Sequence, residues 1–147
     1  MKRISLNKSH PWLAKQWHPT KNGKLTPKDV TYGNEKIKVW WKCSKGNDHE
    51  WQALIAPRAR YKSGCPICSN KKIVGSNSLR KLRPDITKRW IYEKNKNLTP
   101  DSVGPFSHKK AWFKCPEGVD HIYFRQINTE GKLGCPICSN KIIVKSI

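Results

Sequence analysis

The chain repeats itself. "SLNKSHPWLAKQW" (Ser5 to Trp17) lies on "SLRKLRPDITKRW" (Ser78 to Trp90), "LTPKDV" (Leu25 to Val30) on "LTPDSV" (Leu98 to Val103), and "GCPICSNKKIV" (Gly64 to Val74) on "GCPICSNKIIV" (Gly134 to Val144). The offset shrinks by only three residues from start to end, so the 147 residues are two copies of one module rather than one ordinary domain. The boundaries expected are 1–74 and 75–147, with "GSN" (Gly75 to Asn77) as a very short linker.

Each module is too small and too charged to bury an adequate core, since about seventy residues barely offset their own chain entropy. A covalent or metal staple is therefore expected. The six cysteines fall into two identical sets, Cys43 with Cys65 and Cys68, then Cys115 with Cys135 and Cys138. An isolated Cys followed by Cys-x-x-Cys, with no apolar leader and cleavage site at "MKRISLNKSHPWLAK", favours metal over disulfides and an intracellular, soluble protein. Neither is there an apolar run long enough to span a membrane.

A histidine completes each set. "WWKCSKGNDHEW" (Trp40 to Trp51) returns as "WFKCPEGVDHIY" (Trp112 to Tyr123), with five residues between Cys and His both times and fifteen or thirteen before the knuckle. Aromatic and β-branched residues around a Gly-bearing turn predict a β-hairpin whose ends hold Cys and His close together. Hairpin and knuckle then offer three sulfurs and one imidazole nitrogen, the closed tetrahedral set that structural Zn²⁺ prefers. The ligand sets are Cys43, His49, Cys65, Cys68 and Cys115, His121, Cys135, Cys138, for two zinc ions per chain. Iron is the rival metal, and water in place of His49 or His121 the rival fourth ligand.

Upstream of each hairpin, Pro11 and Pro84 suit the first turn of a short helix. Leu13 with Trp17, and Ile86 with Trp90, share a face at a spacing of four. The fold class expected is thus a small metal-stabilised α+β protein of two tandem modules, each a short helix, a β-hairpin and a Cys-x-x-Cys knuckle. Trp41 and Phe113 share strand parity with the first Cys and are expected inside. Trp40 and Trp112 point to the other face, where the helix bearing Trp17 or Trp90 is expected to cover them. Trp17, Trp41, Trp51 and Trp90 recur in register and read as core; Tyr61 has no aromatic counterpart and reads as a stacking residue.

These residues resemble a known family. The order "SLNKSHPWLAKQWHPTKNGKLTPKDV", "VWWKC", "HEW", an Arg-bearing loop and "GCPICSNK" is similar to the zinc-ribbon (treble-clef-like) repeat domain of bacterial, phage and giant-virus proteins, and the likeness covers nearly the whole chain twice. It implies the same eight ligands and a zinc-ribbon or treble-clef-like fold, without an activity. The family's Arg before the knuckle matches Arg58, whereas the second copy has Thr129 and Glu130 there; Tyr123 also replaces the usual Trp after the His.

Formal net charge is +20, from 30 Lys and Arg against 10 Asp and Glu. Such a chain repels itself and fits a polyanion, DNA or RNA before an anionic membrane surface. The expected function is a non-catalytic nucleic-acid-binding protein of the cytoplasm, nucleoid or virion. Its nucleic-acid contacts would come from Arg58, Arg60, Tyr61, Lys62, Lys71 and Lys72 in the first copy and Lys109, Lys110, Arg125, Lys132 and Lys141 in the second. The alternative is a structural adaptor in a large assembly, its zinc modules serving as docking blocks for protein partners. An enzyme of the treble-clef nuclease type is a third reading. It would need an open metal or a general base, and His10, His18 and His108 lack counterparts while Asp48 and Asp120 better suit a supporting role beside the ligand histidines.

Overall fold

A computed structural model describes residues 2–144. The chain divides into two compact units, Met1–Lys72 and Ile73–Ile147. In the first, two single-turn helices, α1 (Leu6–Ser9) and α2 (Pro11–Ala14), precede β1 (Lys38–Lys42), β2 (Glu50–Leu54) and α3 (Ile55–Tyr61). In the second, a 3₁₀ turn at Gly75–Asn77 leads into α4 (Leu79–Leu82), α5 (Pro84–Thr87), α6 (Tyr92–Asn95), β3 (Lys110–Lys114), β4 (Ile122–Gln126) and α7 (Ile127–Leu133). Pro11 and Pro84 each open a helix, as their fixed φ favours.

The stretch read as a linker is part of the second unit. Asn77 and Ser78 are buried, the Asn77 Oδ1 accepts from the Val74 N–H at 2.7 Å, and the Ser78 hydroxyl caps α4 by accepting from the Lys81 N–H. Gly75 to Asn77 is therefore a folded turn.

Each hairpin is a two-stranded antiparallel sheet in matching register, Trp41 opposite Trp51 and Phe113 opposite Tyr123. Alternation decides the faces. Val39, Trp41 and Trp51 turn inward onto Leu6, Leu13, Val30 and Ile55, while Ala111, Phe113 and Tyr123 turn onto Leu79, Ile86, Val103 and Ile127. Three inward positions are smaller in the second unit: Val39 becomes Ala111, Trp41 becomes Phe113 and Trp51 becomes Tyr123. Trp90 sinks deeper there, to 3 % exposure, where Trp17 is half-buried.

Trp17 and Trp90 do not cover the outer face, as their sequence position suggested. They pack edge-on against Trp41 and Phe113, ring centroids 5.5 Å apart in both units. The reason is the backbone: residues 16–18 pair with the free edge of β1, the Lys42 N–H donating to the Gln16 carbonyl and the His18 N–H to the Trp40 carbonyl. Residues 89–91 do the same on β3. That pairing sets the side chain of the middle residue, Trp17 or Trp90, on the inward face.

An asparagine finishes each edge. Asn22 accepts from the Trp40 N–H at 2.7 Å and donates to its carbonyl at 2.9 Å, and Asn95 does the same for Trp112. A side-chain amide thus satisfies the edge N–H of Trp40 or Trp112 that the pairing with residues 16–18 or 89–91 leaves open, and gives the carbonyl a second donor.

Candidate metal centre

The hairpin turn brings the first Cys and the His of each unit together. The Cys43 N–H donates to the His49 carbonyl and the His49 N–H to Gly46, closing a tight loop; Cys115, His121 and Gly118 repeat it. Glycine is required there by space rather than by φ. A Cβ on Gly46 would lie 2.4 Å from Cδ2 of His49, and one on Gly118 2.6 Å from Cδ2 of His121. The imidazole lies flat against the turn because nothing projects from it.

The second pair of sulfurs comes from the knuckle after α3 or α7. Cys65-Pro-Ile-Cys68 folds back so that the Ser69 N–H reaches the Cys65 carbonyl and Lys71 and Lys72 reach that of Pro66. The turn closes at Asn70, and at Asn140 in the second unit, both at φ +58° in the left-handed region that asparagine tolerates. Ile67 is buried beneath it, anchoring the knuckle to its unit.

The four ligand atoms of each unit converge, all lying within 4.8 Å of one another. The sulfurs of Cys43 and Cys68 are 3.7 Å apart, and the His49 Nδ1 is 3.6 Å from Cys65 and 3.3 Å from Cys68. In the second unit Cys115 and Cys138 are 3.7 Å apart, with His121 Nδ1 3.8 Å from Cys135 and 3.4 Å from Cys138. A tetrahedral zinc with bonds of about 2.3 Å to sulfur and about 2.0–2.1 Å to nitrogen requires edges of about 3.8 Å and about 3.6 Å. The observed edges lie within about 0.3 Å of these, and the sulfurs of Cys43 and Cys68, like those of Cys115 and Cys138, stand too far apart for a disulfide.

Both histidines present Nδ1 to the sulfurs and turn Nε2 toward the Asp48 carboxylate at 4.0 Å and that of Asp120 at 3.9 Å. At about 4 Å, beyond hydrogen-bond reach, these carboxylates act on the imidazoles through their charge. With three thiolates and a neutral imidazole, each loaded site carries one net negative charge.

The profile of a family described as a probable treble clef zinc finger domain matches residues 13–71 and again 86–141. The chain belongs to this family. No curated protein matches it. Both treble clef matches contain a complete ligand set, so the chain has two structural zinc sites, each closed by four protein ligands.

Arg58, the expected phosphate contact, is a core residue. It is 2 % exposed, in α3 rather than in a loop, and its guanidinium lies 4.5 Å from the ring of Trp41 and 5.0 Å from that of Trp51. It donates to the Ser63 carbonyl at 2.9 Å and to Gln16 Oε1 at 2.7 Å. Burial pulls its pKa down to about 10, while the Cys65 and Cys43 thiolates work the other way; the group remains a cation beside an anionic metal site. Arg58 cannot reach a phosphate without unfolding the unit around it.

Glu130 takes its place in the treble clef of the second unit, also 2 % exposed. It accepts from the Tyr123 hydroxyl at 2.7 Å, from Arg89 at 3.1 Å and from Arg125 at 3.4 Å. Burial, then the bond to Glu130, pushes the Tyr123 phenol well above its ordinary range. Arg89 stands where the first unit has Gln16, Arg125 where it has Ala53. The Arg125 guanidinium also donates to the Gly134 carbonyl, as Arg58 does to Ser63. Arg125 is thus committed internally and is removed from the phosphate contacts.

The remaining candidates Arg60, Tyr61, Lys62, Lys71, Lys72, Lys109, Lys110, Lys132 and Lys141 are exposed. Arg60 pairs with Glu35 at 3.0 Å, and Tyr61, 71 % exposed, stands beside it at the end of α3. His18 is buried with both nitrogens engaged: Nδ1 accepts from the Thr20 and Lys21 N–H groups, which leaves Nε2 to donate to Glu50 at 3.0 Å. Phe124, Asn22 and Asn95 escaped the sequence reading. The asparagines recur in register, a signal the repeat already carried.

Proposed function

We propose that the protein is a non-catalytic nucleic-acid-binding protein in which two structural zinc modules hold a lysine-rich surface. One observation carries this: most of the 30 Lys and Arg are exposed, Arg58, Arg89 and Arg125 being exceptions, while the Glu50 and Glu130 carboxylates are taken up by pairs inside their units. Loading both sites lowers the net charge only to about +18. Cations at this density release counterions from a phosphate backbone and bind it with little sequence preference. The zinc, with four protein ligands, supplies folding energy rather than an activated water.

The test is binding of the zinc-loaded protein to single- and double-stranded DNA and RNA across a salt series. A slope of log K against log salt steeper than about 4 in magnitude supports the reading. A shallow slope, or no binding at low salt, rejects it.

A docking role in a larger assembly draws on a groove of the second unit, lined by Leu82, Pro105, Phe106 and His108. Phe106 is 68 % exposed and stands outside that unit's core. That reading expects Phe106→Ser to abolish assembly while leaving zinc content and nucleic-acid affinity intact.

A further inference from the structure

The outer face of the second hairpin carries an aromatic pair that its core does not use. Trp112 on β3 and Phe124 on β4 stand directly opposite each other, ring centroids 5.1 Å apart and tilted by 35°. Phe124 is 51 % exposed, and both lie on the face turned away from Phe113 and Tyr123. Lys94 reaches over Trp112, its Nζ 4.9 Å from the ring centroid. Lys110 and Lys114 flank Trp112 on the same face of β3, both exposed. Among the described residues, no carboxylate comes within ion-pair distance of Lys94, Lys110 or Lys114.

The corresponding face of the first unit lacks both properties. Trp40 stands opposite Gln52, so no second ring is present. Lys21 lies over Trp40 at 4.5 Å, as Lys94 does over Trp112, but Glu50 stands where the second unit has Ile122. Its carboxylate holds Lys21, His18 and Lys42. Two of the three lysines that would meet phosphates, Lys21 and Lys42, are already paired there.

A flat hydrophobic ring rimmed by three uncompensated ammonium groups fits a ligand that is both planar and anionic. Unpaired nucleotides are such a ligand: every base has a π face, and every linkage carries a charge. A duplex hides its base faces by stacking, and an acidic peptide offers charge without a plane. Resting on the nucleic-acid reading above, we propose that the outer face of β3 and β4 is a stacking platform for unpaired bases of a single strand. Phe124 takes a base, Trp112 braces it from across the hairpin, and Lys94, Lys110 and Lys114 take the neighbouring phosphates.

The full zinc-loaded chain and its Phe124→Gln variant are compared for binding to labelled oligothymidylate of about 12 nucleotides and to a duplex of the same length. Phe124 is exposed and Gln is the first unit's own residue at this site, so zinc content and far-UV spectrum are checked for identity first. Stacking predicts a loss of about 5- to 150-fold on the single strand, with duplex affinity and salt slope unchanged. A Lys94, Lys110 and Lys114 triple alanine variant is expected to lower the single-strand salt slope by about 2, as three phosphate contacts require. Unchanged single-strand affinity of Phe124→Gln, in a chain that still binds with a steep salt slope, overturns the platform and spares the nucleic-acid reading. Equal losses on single strand and duplex overturn it too, as does an oligoglutamate that displaces the strand from wild type but no longer binds the variant. A wild-type chain that binds neither nucleic acid overturns both readings.

Discussion

Arg58 and Glu130 occupy the same buried position of the helix after the hairpin in the two units, with opposite charge. The surroundings changed with them. Around Arg58 stand an amide, a carbonyl and two indole faces; around Glu130 stand two guanidiniums and a phenol. Either residue stripped of its partners would be a buried lone charge. Glu130→Ala is therefore expected to cost the second unit about 3–5 kcal/mol and leave the first unaltered. Residue-resolved hydrogen exchange under native conditions checks this, and protection lost equally in both units would contradict it.

For Arg58 the prediction separates stability from binding. Arg58→Ala should lower protection in the first unit without altering the salt slope of nucleic-acid binding in the fraction that remains folded. Replacing exposed Arg60, Tyr61 and Lys62 by Ala should do the reverse, weakening binding and lowering the slope magnitude by about 2 with zinc content unchanged. A salt series with parallel zinc analysis of both variants distinguishes these effects.

Zinc stoichiometry tests the two sites one at a time. Elemental analysis should give two zincs per chain, and Cys65→Ser should give one, unfolding the first unit and sparing the second. A Cys65→Ser protein with full metal content and a native far-UV spectrum would rule out this ligand set.

The turn glycines give a sharper test, because the ligands themselves stay in place. Gly46→Ala puts a methyl where the His49 ring lies, so zinc affinity of the first site should fall about 10- to 100-fold in chelator competition. Gly64→Ala, next to the ligand Cys65 but with open space around it, should be neutral. Equal effects of the two would show that the packing of imidazole on the turn does not matter.

Protons compete with the metal. Burial and the neighbouring Cys43 and Cys65 sulfurs push the metal-free Cys68 thiol up to about 11, so it is protonated at neutral pH and must shed its proton to bind zinc. Zinc uptake should therefore release protons, and apparent affinity should rise with pH across the neutral range and fall on acidification. Titration with zinc in weakly buffered indicator solution measures both.

Much of this was readable from the chain before any coordinates. The doubled Cys, His and Cys-x-x-Cys set is specific because spacing and order recur together, and a proline at a helix start carries its own geometry. Arg58 was misread for a physical reason. In "PRARYK" it looks like one more solvent-facing cation, but it follows Ile55 by three residues and so shares the inward face of the helix. The repeat held the correction as well. Where the first copy has Arg58 and Gln16, the second has Glu130 and Arg89, a paired exchange that exposed surface residues have no cause to make. The covering of the hairpins could not be read this way, because it depends on the backbone of residues 16–18 and 89–91 joining a strand edge, which leaves no mark in side-chain pattern.

Two near-identical modules in one chain face a particular hazard during folding: the front half of one can close on the back half of the other. Here the two cores tell such hybrids apart. A front half carrying Arg89 closed on a back half carrying Arg58 would set a second guanidinium against the buried one with no carboxylate between them. The opposite hybrid would set Glu130 beside Gln16 and leave it Arg125 as its one guanidinium partner. Only the native pairing gives Arg58 an acceptor in Gln16 and Glu130 a second guanidinium in Arg89, so the exchanged pair lets each half recognise its own kin, and the chain can keep its duplicate without confusing the copies.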